Sequence, residues 1–249
     1  MAGHSKWSTI KHKKGAADAK RGKLFAKLIR QVEVAARNGG GDLDANPTLR
    51  TMFQKARDAS VPLDTIERAV KRGTGELEGV TYEEVTYEGY APNGVAVFVE
   101  ALTDNRNRTG PEMRALFSKL GGSMAEPGSV AWQFERKGIV RVPGSVPEDD
   151  LMLVALDAGA EDIREEGGGW TVVCEPSSTA AVRHAIEEAG IEVESSDLTM
   201  LPTSTVQLDT VEAVKPVLRL IDALDEHDDV QDVYANFDIP DGLLEQLEA

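Results

Sequence analysis

After Gly79 the chain changes its hydrophobic period, and this limits the fold more than any other feature of the sequence. Before that point apolar residues recur at the three- and four-residue spacing of amphipathic helices; beyond it they alternate or run together as in strands. The pattern predicts an α+β protein: an N-terminal three-helix domain followed by two ferredoxin-like α/β domains, one inserted into the other. A length of 249 residues accommodates two or three domains. The expected boundaries are 1–80 for a basic arm and helical domain, 81–142 plus 204–240 for the first ferredoxin-like domain, and 143–203 for the insert.

The first helix is predicted over 16–38, stopped by Gly39-Gly40-Gly41. Leu24, Leu28, Ile29, Val32, Ala35 and Ala36 fall in an arc of roughly 140°, and Lys20, Lys23, Lys27, Arg30 and Arg37 in one of roughly 100° nearly opposite. Asn46-Pro47 reads as an N-cap followed by proline at the first helical position, with Leu49, Met52, Phe53 and Ala56 on one face. Val61-Pro62 breaks that helix. The third covers 63–72, with Ile66 and Val70 inward and Arg68, Lys71 and Arg72 outward.

In the strand region, 82–88 alternates, placing Val85 and Tyr87 on one face and Glu84, Thr86 and Glu88 on the other. Pro92-Asn93-Gly94 is a hairpin turn before a continuously apolar strand, 95–102. Thr109 and Glu112 read as a capping box for a helix over 109–120, and Val130, Trp132 and Phe134 alternate inward on the next strand. Strands 95–102, 130–135, 204–208 and 232–237 with helices 109–120 and 215–225 make one βαββαβ unit. Strand 138–142 with the helices and strands between 147 and 200 makes the other. Pro216 places the regular start of its helix near Lys215.

Charge is segregated along the same boundary. Residues 1–80 carry 16 Lys/Arg against 9 Asp/Glu, a balance of +7, while the remainder stands at −23 within a net −16. Within 1–37 the ratio is ten to two, which a solvated helix face alone does not explain, since ordinary surfaces mix both signs. A basic head on an acidic body points to a polyanionic partner for the head. Exposed charges act over only about 8 Å at physiological salt, so the overall pI does not forbid it. The candidate nucleic-acid contacts are Lys6, Trp7, Lys11, His12, Lys13, Lys14, Lys20, Arg21, Lys23, Lys27, Arg30, Arg68, Lys71 and Arg72. Trp7 is either a base-stacking platform or a lid on the helical core. In the acidic body, Arg106 and Arg108 lie together in Thr103–Thr109, beside amides and before a helix N-terminus, so this loop is either a second contact or a structural turn.

Other chemistries lack support. Cys174 is the only cysteine, excluding an intrachain disulfide or a cysteine zinc site. None of His4, His12, His184 and His227 has the partner spacing of a zinc helix or a nucleophile elbow. Asp225-Glu226-His227-Asp228-Asp229 reads as a solvated helix end. No apolar run is long enough to span a membrane, and no signal-peptide core opens the chain, so the expected location is the cytoplasm. No catalytic residue, metal or cofactor is predicted, and the chain is expected to act as a monomer.

Several ordered motifs resemble the YebC/PmpR family of bacterial proteins, whose mitochondrial relative activates translation of a cytochrome oxidase subunit. They are Ala2-Gly3-His4-Ser5-Lys6-Trp7, Ile10-Lys11-His12-Lys13-Lys14, Asp18-Ala19-Lys20-Arg21-Gly22-Lys23, Ile66-Glu67-Arg68-Ala69 with Lys71-Arg72-Gly73, and Tyr87-Glu88-Gly89-Tyr90. The likeness continues through Thr103–Thr109, Gly128-Ser129-Val130-Ala131-Trp132, Phe134–Gly138 and Asp228-Asp229-Val230-Gln231. It departs at Ser8-Thr9, where Ala-Asn is common, and at Ala91-Pro92-Asn93, where a more glycine-rich turn is usual. The resemblance implies a non-enzymatic, cytoplasmic gene-expression factor, with a helical N-terminal domain and two α/β domains. Two roles follow from it: relief of stalling at the ribosome, or DNA-binding transcriptional regulation. With no firm reading helix and no dimer seam, the basic arm and stripe suit phosphate tracking, which favours ribosomal RNA and leaves DNA-binding regulation as the alternative.

Overall fold

The computed structural model describes residues 17–240 together with Leu243, with side chains described from residue 21 onward. Three helices come first: α1 (Ala17–Gly39), α2 (Pro47–Asp58) and α3 (Leu63–Gly73). They enclose a core of Leu28, Val32, Ala35, Ala36, Leu49, Ala56, Val61, Ile66 and Ala69. Leu24, expected inward, is exposed instead, because the apolar arc is buried only further along α1. Asn46 joins two helices: its amide donates to the carbonyls of Ala35 (2.9 Å) and Gly40 (2.8 Å), while its Oδ1 accepts from the Leu49 N–H (3.0 Å). One buried side chain thus ends α1 and caps α2. Asn46→Ala is expected to destabilise this unit by about 2–3 kcal/mol, since buried carbonyls lose donors as well as a cap; urea unfolding of the variant measures it. Gly73, the terminator of α3, is buried against α1, where a side chain would run into the Glu33 carbonyl and the Ala36 methyl.

The strands follow. β1 (Glu83–Tyr90) and β2 (Ala96–Thr103) form an antiparallel hairpin across Pro92-Asn93-Gly94, with Asn93 and Gly94 at positive φ. Next come α4 (Arg106–Lys119), β3 (Ser123–Ala125), β4 (Phe134–Pro143), α5 (Glu148–Asp157), β5 (Ala160–Glu166), β6 (Gly169–Cys174), α6 (Thr179–Glu188) and β7 (Ser195–Pro202). They are followed by β8 (Val206–Gln207), α7 (Val211–Asp225), β9 (Val230–Ala235) and β10 (Phe237–Asp238). Two four-stranded sheets result, ordered β3-β1-β2-β9 and β5-β6-β4-β7, with β8 and β10 paired in parallel.

The second sheet, with α5 and α6 in its crossovers, has the βαββαβ strand order of a ferredoxin-like fold. Val140, Val142, Leu151, Ala155, Val172, Cys174, Val182 and Ile186 form its core. The first sheet is antiparallel and draws a larger core from α4 and α7, centred on Met113, Phe117, Val217, Leu220, Ile221 and Leu224. Its strands differ from those expected. β1 and β3 take the places assigned to 130–135 and 204–208, because the tight turn pairs β1 with β2 along its whole length. The segment expected to be split at 135 and 138 is one strand, β4. α7 starts at Val211 with Pro216 inside it; Thr210 caps the Ala213 N–H, and buried Val214 and Val217 hold the first turns despite the missing donor.

Contacts gather the chain into two compact units. Among the described residues, one holds 17–23, Val80–Glu135 and 201–240; the other holds Leu24–Gly79 and Arg136–Met200. Within the second, Arg183 on α6 bonds Asp58 at the end of α2 (2.9 Å) and Ser196 on β7 (3.0 Å), and Lys55 meets Asp197 at 2.6 Å.

Candidate nucleic-acid interface

Of the expected contacts in the head, Lys6, Trp7, Lys11, His12, Lys13 and Lys14 lie outside the described residues, as does the side chain of Lys20. On α1, Arg21 is exposed, while Lys27 and Arg30 are half-buried beside the core stripe. The Lys23 ammonium donates to the Glu226 carbonyl (3.0 Å) and lies 3.8 Å from Asp228. On α3, Arg68 and Lys71 are exposed, three residues apart. Arg72 faces inward: its Nε donates to Glu33 Oε2 at 2.8 Å, and Arg37 reaches the other oxygen at 3.5 Å. Glu33 is 3% exposed, so these two arginines neutralise a buried carboxylate between α1 and α3. Asp64 and Glu67 share the exposed side of α3 with Arg68 and Lys71. Acidic groups in its first half would repel groove phosphates, so α3 is a poor reading helix.

The Thr103–Thr109 loop is built around a carboxylate from elsewhere in the chain. Asp229, at the start of β9 and 5% exposed, accepts from Thr109 Oγ1 (2.7 Å), Thr103 Oγ1 (3.1 Å) and Arg108 (2.5 Å). Thr103 Oγ1 also takes the Asn105 N–H at 2.9 Å, and the Asn105 side chain accepts from the Arg108 N–H at 3.2 Å. Asn105 is therefore the N-cap, and α4 begins three residues before the expected capping box at Thr109. Thr109 turns inward because its hydroxyl is more valuable to the buried Asp229 than to a cap in water. Burial alone would raise the Asp229 pKa, but the hydroxyl of Thr109, the Arg108 guanidinium and the Thr103 hydroxyl outweigh it and hold the carboxyl below its usual range. Arg108 also reaches Asp104 (3.1 Å) and Glu112 (3.8 Å). Arg106 and Asn107 remain exposed; Arg106 lies 3.9 Å from an equally exposed Glu83, a contact worth little in water.

The acidic run 225–229 is drawn into the same structure. His227 Nδ1 accepts the Asp229 N–H (3.2 Å), which leaves the proton on Nε2 to be donated to Glu112 (3.0 Å) when the ring is neutral. Among the described residues, no group of three or more His, Cys, Asp or Glu is arranged to hold a metal ion. No helix there is long and apolar enough to cross a membrane.

A third buried carboxylate shapes the turn after β3. Glu88, expected on the solvent face of its strand, is buried and accepts the N–H groups of Gly128 (2.6 Å), Val130 (2.7 Å) and Ala131 (2.9 Å). Pinned this way, 131–133 form a helical turn instead of strand, and the alternation of Val130, Trp132 and Phe134 fails at Trp132. Val130 and Phe134 are buried; Trp132 is 72% exposed. Burial opposes ionisation of Glu88, but the three amides prevail and its pKa is lowered. A carboxyl with a depressed folded pKa adds stability above its unfolded pKa of about 4, and that stability is lost as pH falls through the folded value. The urea midpoint is thus expected to drop below about pH 4, and Glu88→Gln should remove part of that drop. Sequence periodicity missed Glu88 and Asp229 as buried groups; their only mark was their place in the Tyr87–Tyr90 and Asp228–Gln231 motifs.

Comparison with known proteins agrees over nearly the full chain. Residues 5–76 match the TACO1/YebC protein N-terminal domain, and residues 82–237 match the TACO1/YebC second and third domain. A relative from Rubrobacter xylanophilus is 59% identical over 249 residues, covering 99% of both chains, and one from Thermobifida fusca is 57% identical over 249 residues. Both carry the name "Probable transcriptional regulatory protein". The crystal structure of a conserved hypothetical protein from Aquifex aeolicus is similar, with 48% identity and a TM-score of 0.82 over 90% of this chain and 93% of that one.

Proposed function

The chain belongs to the TACO1/YebC family, and we propose that it is a non-enzymatic, monomeric cytoplasmic factor that binds nucleic acid through its basic head and acts on ribosomal RNA to relieve stalled translation. The segregation of charge carries this reading: +7 over residues 1–80 against −23 over the rest. Phosphate attraction is then strongest at one end of the chain. Exposed Arg21, Arg68 and Lys71 extend the lysine-rich stretch 6–14 onto folded helices. The mixed charge on α3 suits tracking of a backbone better than reading of base edges. Arg106 offers a second contact in the body.

The name that the relatives carry favours a second reading, DNA-binding transcriptional regulation, in which the basic arm would enter the minor groove. Crosslinking in cells, followed by sequencing of the attached RNA and DNA, separates the two. Enrichment on ribosomal RNA near the transfer-RNA sites is the expected result. Discrete promoter peaks without ribosomal signal would replace it with the transcriptional role.

A further inference from the structure

We propose that the outer face of α5 is a docking surface for a cationic amphipathic helix of another protein. The proposal goes beyond the nucleic-acid reading above and uses none of the basic residues of the head. It starts from composition: Leu151–Leu156 is a run of six apolar residues within the ten of α5. One side of the helix serves its own core, where Leu151 and Ala155 are fully buried together with Val140, Val172 and Ile186. The other side carries Met152, Leu153 and Leu156, which are 38%, 70% and 47% exposed. Among the described residues eight large apolar side chains are exposed, and these three lie within five consecutive positions of one helix, as neighbours on its surface. A helix that is apolar all round is ordinarily covered all round, so this face is suited to burial by a partner.

Charge decides which partner. Asp149 and Asp157 stand four residues before and four after Leu153, so exposed carboxylates bracket the apolar stripe at both ends. Glu148 and Asp150 add two more in the first turn. Residues 143–203 as a whole carry 14 Asp/Glu against 2 Lys/Arg, a balance of −12. A nucleic acid or an anionic membrane meets like charge here. A second copy presenting the same face would set these carboxylates against their own counterparts. A helix with apolar residues at three- and four-residue spacing and Lys or Arg along its flanks answers both features. Its apolar side covers the leucines while its cations reach Asp149 and Asp157.

The test titrates the full chain with a fluorescein-labelled leucine–lysine–alanine peptide of about 18 residues, its leucines on one helical face. A permuted peptide of the same composition, its leucines spread round the helix, controls for charge alone. The amphipathic peptide should bind about tenfold or more tightly than the permuted one. Leu153→Ser with Leu156→Ser should remove that preference and weaken binding by about 10- to 100-fold, at an unchanged melting temperature because both side chains face water. Asp149→Asn with Asp157→Asn should weaken binding by about 2- to 10-fold at low salt, and the difference should vanish at high salt. Equal affinity of the wild type for the two peptides, or of the wild type and the double serine variant for the amphipathic one, would overturn the proposal. So would a concentration-dependent dimer that the serine variant abolishes, by assigning the face to a second copy, or a loss of RNA affinity in that variant, by assigning it to nucleic acid.

Discussion

Replacing Lys6, Lys11, Lys13 and Lys14 with glutamine in the full chain is expected to flatten the salt dependence of nucleic-acid binding. Each phosphate neutralised contributes about −0.9 to the slope of log K against log salt on a duplex, so losing four contacts should reduce the slope by roughly 3 to 4. At low salt this corresponds to an affinity loss of several orders of magnitude, larger than any single side chain in the folded units can cause. The measurement is a binding titration at several salt concentrations against one duplex and one single strand. An unchanged slope would place the contacts elsewhere, and the exposed cations Arg21, Arg68 and Lys71 would then be the next substitutions. Truncating all of 1–37 is a worse experiment, because Leu28, Val32, Ala35 and Ala36 belong to the helical core.

Asp229→Ala is expected to cost about 2–4 kcal/mol, since it strips the acceptor from two inward-facing threonine hydroxyls and the nearest anion from Arg108. With about 2–4 °C per kcal/mol for a chain of this size, melting should fall by roughly 5–15 °C. Arg108→Ala should lower the melting temperature by less than Asp229→Ala, because the guanidinium is partly in water, yet measurably because it leaves a buried carboxylate one donor short. Arg106→Ala should leave the melting temperature within about 1 °C while weakening nucleic-acid binding. A stability loss shared equally by the two arginines would contradict this division. In the Asp229→Ala background, Arg108→Ala should add little, which a double-mutant cycle reads directly.

Much of the fold was legible in the sequence because its signals are local. Helix periodicity, the Asn46-Pro47 start and the glycine stops located α1 to α3 within a residue or two. The hairpin turn at Pro92-Asn93-Gly94 did the same for β1 and β2. Binary patterning works there because each residue's facing depends only on its neighbours along the chain. Which strands share a sheet is not local. The expectation that 130–135 and 204–208 join the first sheet failed because pairing partners are chosen by closure between distant segments, which period alone does not encode.

The chain itself determined the segregation of charge, the helical head and the α+β body, all of which follow from composition and spacing. Tertiary structure decided the roles of individual charged and aromatic residues. Arg72 reads as an outward cation, and Arg108 as part of a loop that is either a contact or a structural turn, until Glu33 and Asp229 arrive from other elements to bind them. Glu88 reads as a solvated strand residue until three amides from the turn after β3 enclose it, and that same turn carries Trp132 out into water. The physical reason is common to Glu33, Glu88 and Asp229. A carboxylate goes inward only where partners compensate its desolvation, and for each of these a partner lies 39 or more residues away in sequence.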